Sequence, residues 1–598
     1  MLNLTARKAI ACAALLGVGI GLGGCGNGDE APPPKANTTL TILHTNDHHS
    51  YLDGVSYDLT VDGEAVRVQL GGVSRVAGAL KALKNDHSIV LNSGELNGTL
   101  YFSLFKGEAD FKVFNEMGLD AYEIGNHEFD EGEARLRDLI QLAKFPVLGG
   151  NIQPTAASPL YGSPIRPYII KEVQGEKIGV IGVLKVSKTV GSSMVTDAVH
   201  FQEEVQSVRD NIAALERQGV NKIIVLSHLG YDGDIDLASK VSGIDVIIGG
   251  DTHDLLDSTG ELTSLGLAPT GAYPTVQQAP DGKPVYIAQA WEYAHGIGRL
   301  DVEFTPAGEV VTAKGNIQLL VDGPFQVKNS AGTFVAASAE KTQAIKTALG
   351  GLKTVRLQTT DATVEDVLAP YRAELETFKT QVIGSVAETQ PFDRIPAAFS
   401  AGQKPTGSYA AHVVADSFLS YMPKADIAIQ NAGGVRTQFL QGQFSVADAY
   451  TMLPFSNTIA TITISGAQVV GVLEDAAEYA LNTTSTGAFP YASHLRYDVD
   501  KSAAKGSRIL NVEVRNRQTG VWSAIDPAAQ YKVVTNSFTA LGKDGYTTFA
   551  TAIAANPGVH ENFEVAYAVP LIEYFTTHLS GNALPALDWS NYCLKSVR

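Results

Sequence analysis

Five short runs of β-branched and aliphatic residues constrain this chain more than any other feature. They are "TLTILHTND" (39–47), "SIVLNSG" (88–94), "KIGVIGVL" (177–184), "KIIVLSHLG" (222–230) and "DVIIGGDTH" (245–253). Each has the length of a strand, and helix-like segments alternate with them. That alternation specifies a layered α/β domain. Several of the runs stop at Asp, His, Asn or Gly, so polar side chains collect at the strand ends.

A chain of 598 residues is too long for one hydrophobic core, so two large domains are expected. The rhythm changes near residue 320. Val364, Val367, Leu368, Tyr371, Leu375, Phe378 and Val382 then recur at the spacing of one helix face. Thr363 and Asp366 resemble a capping box, and Pro370 predicts a kink or a later helix start. A second α/β region follows. "ADIAIQNAGGVR", "ATITISG", "RILNVEVRN" and "YKVVTNSF" read as strands, "AQVVGVLEDAAEYAL" as a helix and "VPLIEYFTTHL" as a closing helix. The expected division is 1–25 signal, 26–38 tether, 39–335 first domain, 336–382 linker with its helix, and 383–598 second domain.

The first 25 residues stand apart from the fold. Arg7 and Lys8 precede an apolar run of small residues, the pattern of an export signal. "LGGC" resembles the lipobox of bacterial lipoproteins, which implies lipidation of Cys25 and a membrane anchor in the periplasm or outer membrane. Of the three cysteines only Cys25 and Cys593 would survive processing, so no internal disulfide is expected. The formal charge of −18 disfavours nucleic acid polymers and anionic lipid surfaces. It leaves room for an anionic small substrate, because metals and a few arginines reverse the field locally.

The polar strand ends give Asp47 and His49, Glu95, Asn126 and His127, His228, and Asp251 and His253. One histidine at a strand end is usually a hydrogen-bonded structural residue. Several such ends together are different, because buried Asp, His and Glu need partners and metal ions suit all of them. Imidazole with carboxylate favours zinc, manganese, cobalt or iron over calcium. Two such ions sharing a carboxylate activate water and stabilise displacement at phosphorus. In "GNHEFD", Asp130 is placed to orient the ring of His127 toward a leaving oxygen.

"TILHTNDHH", "GNHEFDEG", "LSHLG" and "GGDTHD" resemble the successive motifs of the bacterial 5'-nucleotidase family. The resemblance runs from residue 39 onward. It implies a sandwich-like metallophosphoesterase domain of the calcineurin type, a linker helix and a C-terminal nucleotide-binding domain. It also implies two divalent ions, with Asp47, His49 and His253 on one, Asn126, His228 and Asp251 on the other, and Glu95 between them. His127 and Asp130 match the family's catalytic pair. Asp251 stands where many members have histidine, and this resembles the NAD nucleotidase branch. "GTLYFSLF", "STGAFPY" and "GKDGY" resemble that branch too.

In the second region "QNAGGVR" sets Asn431 and Arg436 around a glycine turn, and arginine grips phosphate in a fork. By the resemblance Phe455 and Phe538 clamp the base and Asp544 takes the ribose hydroxyls. A further arginine of the family has no clear counterpart near "KPTGSYAAH", and Arg394 in "FDRIP" is assigned in its place. Base recognition in one domain and phosphate chemistry in the other imply domain movement, with the 364–382 helix as the arm. The implied activity is hydrolysis of NAD and 5'-mononucleotides. The alternatives are a UDP-sugar hydrolase, a 2',3'-cyclic nucleotide phosphodiesterase, or a nucleotide-binding lipoprotein without turnover.

Glu95 keeps those alternatives open. The family's usual bridging residue is aspartate, and glutamate adds a methylene. Glu95 either bridges with adjusted geometry, holds a single ion in a slow enzyme, or ends turnover altogether. Retention of every other ligand and of the catalytic pair favours the first two.

Overall fold

The computed structural model describes residues 36–97, 99–453, 455, 457–483 and 486–598. The export signal with Cys25, and the tether up to residue 35, lie outside the described residues.

All five runs form strands. Thr38–Asn46 pairs in parallel with Ser88–Ser93, which continues to Ala121–Glu123 and Val147–Leu148. On the other side Thr38–Asn46 is antiparallel to Gly296–Phe304, and the sheet extends to ten strands. A second sheet of six strands contains Glu176–Leu184, Ile223–His228, Val246–Ile248 and Pro284–Ala288 in parallel. Leu40, Ile42, Ile89 and Leu91 of the first sheet share one core with Val180, Ile224, Leu226 and Ile248 of the second. The two sheets therefore pack face to face. Their central strands are apolar on both sides, which is why these runs read as continuous rather than alternating. The parallel strands bring residues 47, 94, 228 and 251 to one end of the sandwich.

The helix Ala362–Lys379 runs unbroken through Pro370. Two expectations are corrected here. Asp361, not Thr363, caps it by accepting the Val364 N–H at 3.1 Å, because the chain enters the helix two residues earlier than the capping-box spacing predicts. Proline neither ends the helix nor delays its start: Val364, Leu368 and Leu375 are buried on either side of Pro370. Arg372 ties the next turn to Asp53 at 2.7 Å and back to Glu365. That packing outweighs the roughly 3 kcal/mol that an interior proline costs.

The C-terminal half contains a five-stranded sheet in which Ile427–Asn431 lies between Pro490–Ser493 and Gln530–Asn536, followed by Thr458–Ser465 and the edge strand His560–Ala566. The helix Gly466–Asn482 starts in a full capping box, Ser465 with Gln468. The closing segment is a short helix, Val569–Glu573, that widens into a looser turn over Tyr574–His578. The whole is a mixed α/β, two-domain architecture. No helix among the described residues is long and apolar enough to cross a membrane.

Candidate metal centre and nucleotide cavity

At the end of the sandwich, two groups of side chains have ligand atoms within 4.8 Å of one another: Asp47, His49 and His253, and Asp47, Glu95 and His228. Asp47, His49, Asp251 and His253 all have positive φ, from 45° to 82°. Non-glycine residues adopt that region at a cost, and such strain gathers where side chains must be aimed. The Asp47 carboxylate is held by Asn46 at 2.7 Å and by the Asp251 N–H at 3.0 Å. Asp47 thus joins both groups, whereas the motif pattern places Glu95 as the shared ligand.

Glu95 also lies between the groups. Its Oε1 is 3.1 Å from His228 Nε2 and accepts the His127 N–H at 2.8 Å, while Oε2 is 3.6 Å from His49 Nε2. Room for the longer side chain comes from Gly125, where a Cβ would stand 2.7 Å from Glu95 Oε1 and 2.8 Å from His228 Nε2. Burial alone would raise the Glu95 pKa. His228, His127 and His49 outweigh it and hold the carboxyl well below its usual range.

The donor set fits divalent cations. The Ser93 carbonyl accepts from His228 Nδ1 at 2.9 Å, so Nε2 can face the cluster as a lone pair. Glu292 takes His253 Nδ1 at 3.0 Å in the same way. His49 Nε2 and His253 Nε2 stand only 2.9 Å apart. Glu95 Oε2, His228 Nε2 and both amide atoms of Asn126 are buried without a hydrogen-bond partner. Such groups are costly unless something coordinates them. Asp251 Oδ1 lies 3.9 Å from His228 Nε2, but Lys188 Nζ pairs with that same oxygen. Burial disfavours a charged Asp251, and Lys188 and His228 more than reverse this.

Beside the cluster, His127 Nδ1 lies 2.6 Å from Asp130 Oδ2, and its Nε2 is buried without a partner. Burial opposes a charge on this ring. The Asp130 and Glu95 carboxylates prevail and raise its pKa to about 9. Both residues line a cleft of about 300 Å³.

All six candidate substrate residues, Arg394, Asn431, Arg436, Phe455, Phe538 and Asp544, line one cavity of about 460 Å³ in the C-terminal half. Phe455 and Phe538 are 45% and 38% exposed, so neither is a core phenylalanine. The Arg436 guanidinium sits 5.4 Å from the Phe455 ring centroid. Asn431 donates to Asp544 at 2.9 Å and accepts from Asn536 at 3.1 Å, which fixes its amide. Among the described residues, this cavity shares no lining residue with the cleft of His127.

Comparison with known proteins agrees with this layout. The chain is 39% identical to the NAD 5'-nucleotidase of Haemophilus influenzae over 529 residues, 87% of each protein. The chain belongs to the 5'-nucleotidase family. It is also 37% identical to a probable 5'-nucleotidase of Treponema pallidum, over 94% of this chain and 95% of that one. Residues 340–551 match the family model for the 5'-nucleotidase C-terminal domain. The structure of the Haemophilus influenzae NAD nucleotidase superposes with a TM-score of 0.86 at 36% identity, over 94% of this chain and all of that one. Membership makes the chain a hydrolase.

Several residues of the site escaped the sequence reading. Glu128 is buried and accepts the Leu96 N–H at 2.9 Å and the Gly125 N–H at 2.7 Å, pinning the loops that carry Glu95 and His127. Burial, then the charge of Glu95, raises its pKa to about 7. Asn97 donates to Asp130 at 2.5 Å. Glu292, Lys188 and Tyr293 arrive from segments with no motif. Conversely His44 and His48, close to the motif, are structural: His44 meets the Tyr273 hydroxyl at 2.7 Å and His48 meets Asp110 at 2.9 Å.

Proposed function

We propose that this chain is a metal-dependent nucleotide hydrolase that cleaves NAD at its pyrophosphate and removes the phosphate of 5'-mononucleotides. The observation that carries the reading is Glu95 and Asp47 set between two imidazole groups, with His127 on Asp130 beside them and a separate aromatic cavity in the other half. The named activity of the Haemophilus influenzae relative supports it.

Asp47, His49 and His253 would hold one divalent ion, and Asn126, His228 and Asp251 the other, with Glu95 and Asp47 between them. Bound ions of the zinc, manganese or cobalt type supply an activated water and neutralise charge at phosphorus. The protein does the rest. His127 Nε2 is positioned to protonate or stabilise the departing oxygen, and Asp130 fixes the ring and keeps it charged. Phe455 and Phe538 stack the base, Asp544 and Asn431 take the ribose, and Arg436 with Arg394 steers the phosphate side. Residues 39–335 form the catalytic domain, 336–382 the linker and 383–598 the nucleotide-binding domain. The protein is exported, cut before Cys25 and held by lipid in the periplasm or outer membrane.

The test is product analysis. Purified protein with manganese, cobalt or zinc should convert NAD to AMP and nicotinamide mononucleotide, and AMP to adenosine and phosphate. Absence of all these products with every metal would refute the reading. Incorporation of labelled palmitate that disappears in Cys25→Ser would support the anchor.

A further inference from the structure

The metal centre is roofed by a residue from the far half of the chain. In the edge strand His560–Ala566 the register slips: Thr458 faces Ala566 while Ala460 faces Asn562. Residues 563–565 therefore bulge from the sheet, a device that re-aims side chains. Asn562 pins the bulge, accepting from the Thr458 hydroxyl at 2.6 Å and from the Glu564 N–H at 3.3 Å. Phe563 and Val565 line the cleft that holds His127 and Asp130. Between them Glu564 has a φ of 52°, is 7% exposed, and accepts the Tyr293 hydroxyl at 2.6 Å.

Tyr293 belongs to the metal centre. Its N–H donates to the Asp47 carbonyl at 2.7 Å, and its ring lies 5.4 Å from that of His253 and 5.9 Å from that of His49. The Glu564 carboxylate is thus held over the first ligand group. Lys188 reaches the second ligand group, where its ammonium pairs with Asp251. A carboxylate held by a buried hydroxyl whose ring lies beside the metal-site histidines occupies the environment that phosphoryl oxygens require.

We propose that Tyr293 and Lys188 form the seat of the reacting phosphoryl group, and that Glu564 fills this seat as a built-in competitor in the present domain arrangement. The inference rests on the hydrolase reading and adds to it a reason for domain movement. Glu564 leaves the seat as the C-terminal half brings its nucleotide cavity toward the ions. The separation of that cavity from the cleft of His127 belongs to this resting arrangement.

The experiment uses the metal-loaded, full-length protein and inorganic phosphate as the probe. Phosphate affinity is read by calorimetry and metal content by mass spectrometry. E564A should bind phosphate about tenfold more tightly, the scale of one charge-assisted contact. In the E564A background, Y293F and K188M should each lose about tenfold, with metal content unchanged for Y293F, which keeps the ring beside His49 and His253 and the N–H on Asp47. If K188M sheds metal, Y293F alone decides. Unchanged phosphate affinity in E564A would overturn the competitor, and full affinity in E564A/Y293F would overturn the seat. A wild-type protein that hydrolyses no nucleotide would defeat the hydrolase reading instead, and phosphate binding would still decide this one.

Discussion

Glu95→Asp tests whether this site is built for glutamate or merely tolerates it. In the structure the carboxylate reaches the gap between the ligand groups only at glutamate length: 3.1 Å to His228 Nε2 and 3.6 Å to His49 Nε2. Removing one methylene withdraws it by about 1.5 Å, one carbon–carbon bond. Metal–ligand distances tolerate about 0.2 Å, so the shorter side chain cannot serve both groups without backbone movement. The His127 N–H, 2.8 Å from Oε1, would also lose its acceptor, at about 1–3 kcal/mol for a buried donor. A displacement of about 1 Å typically costs about 10²-fold in rate. We therefore expect E95D to release one metal on dialysis and to lose about 10²-fold in kcat on AMP and NAD, with an unchanged far-ultraviolet spectrum. Phosphate release and metal stoichiometry measured side by side decide the point. An E95D protein that equals or exceeds the wild type would refute the argument. The backbone around Gly94 would then be relaxing freely, and the fit seen at Gly125 would carry no functional meaning.

Gly125→Ala places a Cβ within 2.8 Å of both Glu95 and His228 and should abolish the second metal while leaving the fold, read by metal titration and circular dichroism. Phe455→Ala and Phe538→Ala should each raise KM for AMP about 5- to 150-fold, from roughly 1–3 kcal/mol of stacking per base. They should leave hydrolysis of p-nitrophenyl phosphate unchanged. His127 is charged below its raised pKa of about 9, so activity that needs the charged ring persists at neutral pH and falls as pH rises through that value. Asp130→Asn removes the leading cause of the rise, lets burial dominate, and should move this alkaline limb to lower pH in a pH–rate profile. Cys593 is fully buried and burial pushes its thiol up to about 12. It should resist thiol reagents at pH 8 until the protein is denatured.

What was legible in the sequence was local. An apolar run ending in Asp, His or Asn announces both a strand and the side chain that the strand delivers, so Asp47, His228 and Asp251 could be placed without a structure. Phe455 and Phe538 were legible only through motif resemblance, since lone phenylalanines are usually core and these two are half-exposed. What was not legible acts through space. Glu128 stands inside a recognised motif, yet its work is to bind N–H groups of Leu96 and Gly125. Lys188 and Tyr293 come from segments whose composition carries no signal, and their meaning depends on what the fold sets beside them. The helix at 362–379 failed differently. Proline and the Thr363 spacing are local signals, and tertiary packing of Leu368 and Leu375, with Arg372 on Asp53, overrode them.

The two departures from the family pattern are best understood together. Asp251 in place of a neutral imidazole adds negative charge to a cluster that already holds Asp47 and Glu95, and glutamate in place of aspartate adds bulk. Each is answered within reach of the residue that causes it. Lys188 pairs with Asp251, offsetting the added charge, and Gly125 omits the Cβ that would collide with Glu95. A buried cation without its partner is strongly destabilising, so Lys188 and Asp251 stand or fall as a pair. The same lysine is the cation proposed for the phosphoryl seat. Charge compensation for an altered ligand and a place for an incoming anion are thus two consequences of one side chain.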